Sequence, residues 1–374
     1  MKNRGINCAG EQKIFFPLNT RIYLTNPIGI HNAVVMKQAR KMGNMKLTPK
    51  ENYLRTLDGD IPEYTPSWFT PYLAFIREEL LTPASLPDGK PYVTSLGVEY
   101  VGSKELNYGA MPSPGKTVIT DISKWHDQLR IRDVTGRDWE GFYKKQSENI
   151  DRKNLCLMVD GGDYFLTLVS LMGFEQAILA IYEEPEEVKA LLTEISNFYT
   201  LVEKKQMEYL KPDLFVLMDD DSAYHSPFIS LDTYRDIFKP FHKKHCDIAL
   251  EHGCRIIRHD CGRSEQFIDD WLELGICSWT PAQTSNDCAA VKKKYGDRLT
   301  LEGAWDNLVV PGMSDDQLIA YLDEYCETFL PGGRFVFSAN TGRMVMLDQG
   351  EPDPQMDLIK KYYEDNVRDW YKKH

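Results

Sequence analysis

The chain has 374 residues, 42% of them hydrophobic and 27% charged, with a formal net charge of −12. That length supports one large domain or two ordinary ones with a full apolar core. The acidic balance excludes a nucleic acid or an anionic membrane surface as the main partner. No apolar run approaches the roughly 18 residues needed to span a bilayer. The first thirty residues carry no basic segment leading into an apolar one, so no signal peptide is read there. The eight cysteines are scattered without a close-spaced framework. Reduced, mostly buried thiols and a cytoplasmic location follow as the expectation.

Residues 1–46 mix basic, apolar and turn residues without a sustained period. They are read as an N-terminal arm that packs on the body or on a second subunit of a homodimer. A helix starts at Thr48, with Thr48 as N-cap, Pro49 at the first helical position and Glu51 at the capping-box position. Gly59 and Pro62 end it. Residues 62–120 are rich in proline, glycine and aromatics and read as loops. Asp121 opens another helix.

From Leu155 onward strand and helix alternate. Strands are predicted at 155–159, 214–218, 255–259, 276–280, 299–303 and 334–338. Helical patterns run to residue 210, then over about 231–252, 264–274, 286–295, 314–328 and 354–371. This rhythm means parallel βαβ units. With at least six strands it favours an α/β fold of the closed (β/α)₈ barrel type over 47–374. No Gly-x-Gly-x-x-Gly follows the first strand, which argues against a dinucleotide fold.

Chemistry in such a barrel sits at the C-terminal ends of the strands. The chain places Asp160 and Asp163, Asp219, Asp220, Asp221 and His225, His259 and Cys261, Gln283, Glu302 and Asp306, and Asn340 and Thr341 there. Each has an ordinary reading: an acid run is usually a solvated loop or a helix cap, and a lone histidine is usually a structural hydrogen-bonder. His259 and Cys261, two apart on a strand, project to the same face and suit a soft or borderline metal. Asp219 and Asp221 share a face by the same rule.

Several motifs together resemble the uroporphyrinogen decarboxylase superfamily. They include Ser226-Pro227-Phe228, Tyr234-Arg235-Asp236-Ile237-Phe238-Lys239-Pro240, His259-Asp260-Cys261-Gly262, Gly303-Ala304-Trp305-Asp306 and the run 293–299. The resemblance covers essentially everything after residue 46 and implies a (β/α)₈ barrel. True decarboxylases of that family carry a basic Arg-Gln-Ala-Gly-Arg loop near the N-terminus, where this chain has 62–69. The His-x-Cys-Gly signature resembles instead the cobalamin-dependent methyltransferases, in which His and Cys bind zinc with a second cysteine. Thr341 stands in the place of that cysteine.

The resemblance therefore implies either a site without zinc or one in which His259 and Cys261 are joined by Glu302 or an acid of the 219–221 run. The segments 121–125 and 138–140 are most similar to aryl-ether O-demethylases. The implied reaction moves a methyl group from an aryl methyl ether to the Co(I) corrinoid of a carrier protein. Asp219, Asp220, Asp221 or His225 would be the proton donor, and Asp163, Gln283, Trp305, Asp306 and Asn340 would contact substrate. Decarboxylation of a tetrapyrrole or another acid is the alternative activity. A non-catalytic corrinoid or tetrapyrrole binder is the third reading.

Overall fold

The computed structural model describes residues 46–83, 85–86, 90–103, 108–342 and 353–374. The arm expected at 1–46 lies outside the described residues apart from Lys46. The barrel begins with the helix Pro49–Asp58, whose start is fixed as its sequence predicts. Thr48 and Glu51 form a reciprocal capping box, and Gly59 ends the helix in the left-handed region at φ 91°.

Seven strands then form one parallel sheet: β1 (Leu73–Ile76), β5 (Cys156–Gly161), β6 (Leu214–Met218), β7 (Arg255–His259), β8 (Ile276–Ala282), β9 (Thr300–Gly303) and β10 (Phe335–Val336). Three short strands, β2 (Tyr92–Val93), β3 (Glu99–Val101) and β4 (Met111–Pro112), make a separate antiparallel sheet between β1 and β5. The segment 62–120, expected to be loops, therefore contains both the first barrel strand and this insertion.

Among the described residues the ladder has seven strands, against the eight expected. The reason lies at the seam. Ser67 makes a parallel bridge to Phe337, and Phe337 N–H donates to the Pro66 carbonyl at 2.9 Å. The chain just before β1 thus meets the end of β10 and brings the two edges of the sheet together. Pro66 and Pro71 have no N–H to give to a ladder, so the contact stays at a single bridge.

Alternation along the strands sorts the core into two parts. Cys156 and Met158, Leu214 and Val216, Ile257 and Val336 point into the barrel, where Tyr53, Leu57 and Tyr72 close the floor. Leu157 and Val159, Phe215 and Leu217, Ile256, Trp279 and Leu301 point outward to the helices. Among those helices, Pro185–Leu210 is the longest, with Pro185 at its first turn as expected. The helix expected over 231–252 is present but carries a π-turn at Tyr234–Phe238. Pro240 follows directly; its missing N–H cannot donate back into that turn, and the helix widens there. Among the described residues no single helix is long and apolar enough to cross a membrane.

Glu302 belongs to this floor. Its Oε1 accepts from Tyr53 Oη at 2.5 Å and from Ser278 Oγ at 3.0 Å. Burial raises its pKa against the lowering effect of the hydrogen bonds from Tyr53, Ser278, Trp68 and Tyr72. A buried carboxyl with its own ring of donors is a structural plug. Tyr53→Phe removes one donor and leaves the carboxyl short of a partner. It should cost roughly 1–3 kcal/mol of stability, measured by chemical denaturation, and an unchanged midpoint and slope would refute this role.

Candidate metal centre at the barrel mouth

The site is built by the ends of β6 and β7. Their register pairs Met218 with His259. Met218 and Asp220 therefore continue the inward face of β6, and His259 and Cys261 continue the inward face of β7. Asp220, His259 and Cys261 bring one carboxylate oxygen, one imidazole nitrogen and one sulfur within 4.8 Å of one another. Cys261 Sγ lies 3.8 Å from His259 Nε2, and His259 Nε2 lies 3.8 Å from Asp220 Oδ1.

A tetrahedral ion with bonds of about 2.0–2.3 Å holds its ligand atoms roughly 3.3–3.8 Å apart. The three groups fit zinc in donor type, and the two printed contacts to His259 fit the spacing, so Asp220, His259 and Cys261 would supply three of its ligands. His259 is only 4% exposed, while the Asp220 side chain is 31% exposed. The trio thus sits at the boundary between core and opening.

The loop carrying Cys261 is fastened from several sides. Cys261 N–H donates to Asp220 Oδ1 at 2.8 Å. Gly262 has φ 92°, and a Cβ there would stand 2.5 Å from the Ser222 carbonyl oxygen, so only glycine lets the two loops touch. Gly262 N–H donates to Gln283 Oε1 at 2.7 Å. Asn286 donates to the Gly262 carbonyl and accepts from the backbone N–H groups of Ser264 and Glu265. Gln283, expected to touch substrate, here positions the ligand loop.

The acid run divides by the same alternation. Asp219 and Asp221 are both 0% exposed and face away from the mouth. Asp219 accepts three backbone N–H bonds, from Tyr164, Phe165 and Leu166, at the start of the helix Phe165–Met172. Its second partner is His242 Nε2 at 3.2 Å, and His242 Nδ1 meets Tyr234 Oη at 3.2 Å. Burial would raise the Asp219 pKa, but the bond from His242, the Arg258 charge and the backbone donors hold it below the ordinary value. Asp221 pairs with Arg258 at 2.6 Å, and burial pushes its carboxyl well up. Of the three acids expected as proton donors, Asp220 alone stands beside His259 and Cys261.

The remaining sequence candidates lie apart from the trio. Glu302, expected as a ligand, is occupied by Tyr53 and Ser278, and Asp220 takes its place in the group of three. His225 is exposed at a loop tip, its ring edge against Tyr224. Asp163 caps the helix start by accepting from Thr167 N–H at 2.9 Å. It also borders a cavity of about 10 Å³, room for roughly one water, shared with Arg77, Asp160 and Met218.

Trp305 donates to the Asn340 carbonyl at 2.7 Å and stacks on Tyr321. Asp306 accepts from Leu308 N–H, and Asn340 Oδ1 accepts from Asn307 and Gly342. Each of these three has an internal partner that shapes the loops after β9 and β10. Thr341, in the cysteine's place, donates to Asp353 Oδ2 at 2.7 Å, on the N-cap of Pro354–Tyr362.

Sequence reasoning missed Arg258, Asp260, Asn286 and His242. Arg258 left a signal: an arginine inside an otherwise apolar strand must find acids when buried, and the neighbouring strand ends in three of them.

The Asp219–His242 contact has a pH signature. Burial lowers the His242 pKa to about 4 from an unfolded value of 6.5. Below pH 6.5 the unfolded chain takes up a proton that the folded chain refuses, so this contribution is complete above pH 6.5 and lost as pH falls to 4. His242→Asn abolishes that loss. The stability of wild type relative to the variant should drop by about 3 kcal/mol between pH 7 and pH 4, followed by urea denaturation at each pH. A difference independent of pH would show that His242 is not held neutral.

A comparison with curated proteins finds no match. Among solved structures, a methyltransferase from Methanosarcina mazei superposes with a TM-score of 0.53 at 15% identity, covering 85% of this chain and 99% of that one. At that identity the likeness speaks for the fold. Residues 162–351, just over half of the chain, match the uroporphyrinogen decarboxylase family model. They carry β6 to β10 together with Asp220, His259 and Cys261, and the chain belongs to the uroporphyrinogen decarboxylase family.

Proposed function

We propose that the protein is a corrinoid-dependent methyltransferase. It would move the methyl group of an aryl methyl ether to the Co(I) corrinoid of a separate carrier protein, with zinc held by Asp220, His259 and Cys261. The observation that carries this reading is the convergence of those three ligand groups at the C-terminal mouth of the barrel.

Demethylating an aryl ether leaves a phenolate, and its developing charge needs a Lewis acid or a proton. Zinc at the trio would supply the Lewis acid. Asp220 and Cys261 are the half-buried members of the trio, and the backbone neighbours of Asp220 fix it from behind. His259, 4% exposed, would screen one side of the reacting oxygen from water.

The alternative, decarboxylation of a tetrapyrrole, needs several free cations for the substrate's carboxylates. The arginines described near the mouth already have acids. Arg77 lies 3.4 Å from Asp160, and Arg137 lies 2.9 Å from Glu78. The segment 62–69, in the place of the basic loop, is folded into the seam through Thr65 and Ser67. These pairings favour a neutral ring over a polyanion.

The test uses the full chain with a reduced corrinoid carrier and a panel of methoxyarenes, with methyl-Co(III) followed by absorbance. Cys261→Ser and His259→Ala should each lose zinc and slow methyl transfer by roughly 10²-fold or more. Lys361→Ala, an exposed residue of the helix Pro354–Tyr362 paired with Asp365, should leave it unchanged. Turnover of a porphyrinogen, or transfer that survives loss of His259, would overturn the reading.

A further inference from the structure

We propose that Arg258 is the positioning residue of this site. Its buried guanidinium ties the end of β6 to the end of β7 from behind, and so sets the distance of Asp220 from His259 and Cys261. The inference rests on the metal-site reading above and adds a residue that touches neither ligand nor substrate.

The geometry is specific. Arg258 Nη2 donates to the Asp219 carbonyl at 2.9 Å, to Asp221 Oδ2 at 2.6 Å and to Asp260 Oδ2 at 3.1 Å. The first two acceptors belong to the end of β6, and the third lies between His259 and Cys261. Asp260 Oδ1 in turn accepts from Asp221 N–H at 3.2 Å, and Trp279 donates to the Asp260 carbonyl at 3.0 Å. The guanidinium also lies 5.4 Å from the Trp271 ring centre. Arg258, Asp221 and Asp260 are all 0% exposed.

Alternation gives this cluster its meaning. Asp219, Asp221, Arg258 and Asp260 occupy the outward positions, and Asp220, His259 and Cys261 occupy the inward positions between them. Fixing one set fixes the other. Partners behind a metal's ligands commonly decide whether those ligands hold their geometry, and here the partners act through the backbone.

The experiment compares the full-length wild type with Asp260→Asn and Arg258→Lys. Asn keeps the shape of Asp260 and the acceptor for Asp221 N–H but puts an amide NH2 where Oδ2 accepts from Arg258. Lys keeps the charge but is shorter and loses the planar face on Trp271. Zinc affinity is read by chelator competition, and geometry by the visible spectrum of the cobalt(II)-loaded protein. Both variants should bind zinc roughly 10–100-fold more weakly with shifted cobalt bands.

Leu191→Ala, in the helix layer, serves as a control that lowers stability without touching the clamp. It should keep wild-type affinity. Wild-type affinity and spectrum in both clamp variants, or an equal loss in Leu191→Ala, would overturn the proposal. If the wild type takes up no metal, the metal reading fails and alkylation of Cys261, mapped by peptide mass, decides the clamp. Asp260→Asn should then be alkylated about tenfold faster as the loop opens, and equal rates would overturn it.

Discussion

A strand that ends in chemistry must do something with both of its faces. Ligands placed at every second residue push the residues between them into the protein, and those residues sit where water cannot solvate them. At the ends of β6 and β7 the intervening residues are Asp219, Asp221, Arg258 and Asp260. Three acids packed together would repel one another and pull the strand ends apart. One buried guanidinium, a helix start and a neutral imidazole absorb them. The mouth can present Asp220, His259 and Cys261 because the reverse side is electrostatically closed.

That closure shows in the direction of each shift. Asp219, with backbone donors and His242, stays ionised, its carboxyl held low. Asp260 is pushed up to about 8 by burial, in spite of Arg258. Neighbouring acids in one cluster thus differ in proton affinity because their donors differ. Composition alone treats the acids of residues 219–221 as equivalent, and only the pleat separates the mouth-facing Asp220 from a cap and an ion-pair partner.

Much of this was legible beforehand. The strands at 214–218 and 255–259 lie where their apolar runs predict, and the pairing of His259 with Cys261 on one face follows from period two alone. What a single chain cannot supply is the register between strands. Without the pairing of Met218 with His259, nothing distinguishes Asp220 from its neighbours. Depth is equally invisible. Glu302 stands at a strand end in sequence, yet the floor helix sends Tyr53 up to it from 249 residues away. The first strand is hidden by the prolines before it, which make residues 62–120 read as loop.

The same prolines bear on how the molecule assembles. The seam between β1 and β10 has one bridge, and its support comes from the far end of the chain. Thr65 N–H donates to the Arg368 carbonyl, its hydroxyl donates to the Val367 carbonyl, and its own carbonyl accepts from Tyr363. These partners stand 302 and 298 residues away in sequence. Such long loops cost entropy before the contacts return anything. A nascent chain can pair β5 with β6 and β7 as they emerge, while the ring itself stays open until residues 363–368 are available. The ends of β6 and β7, with Asp220, His259 and Cys261, meet early; the wall around them is completed afterwards.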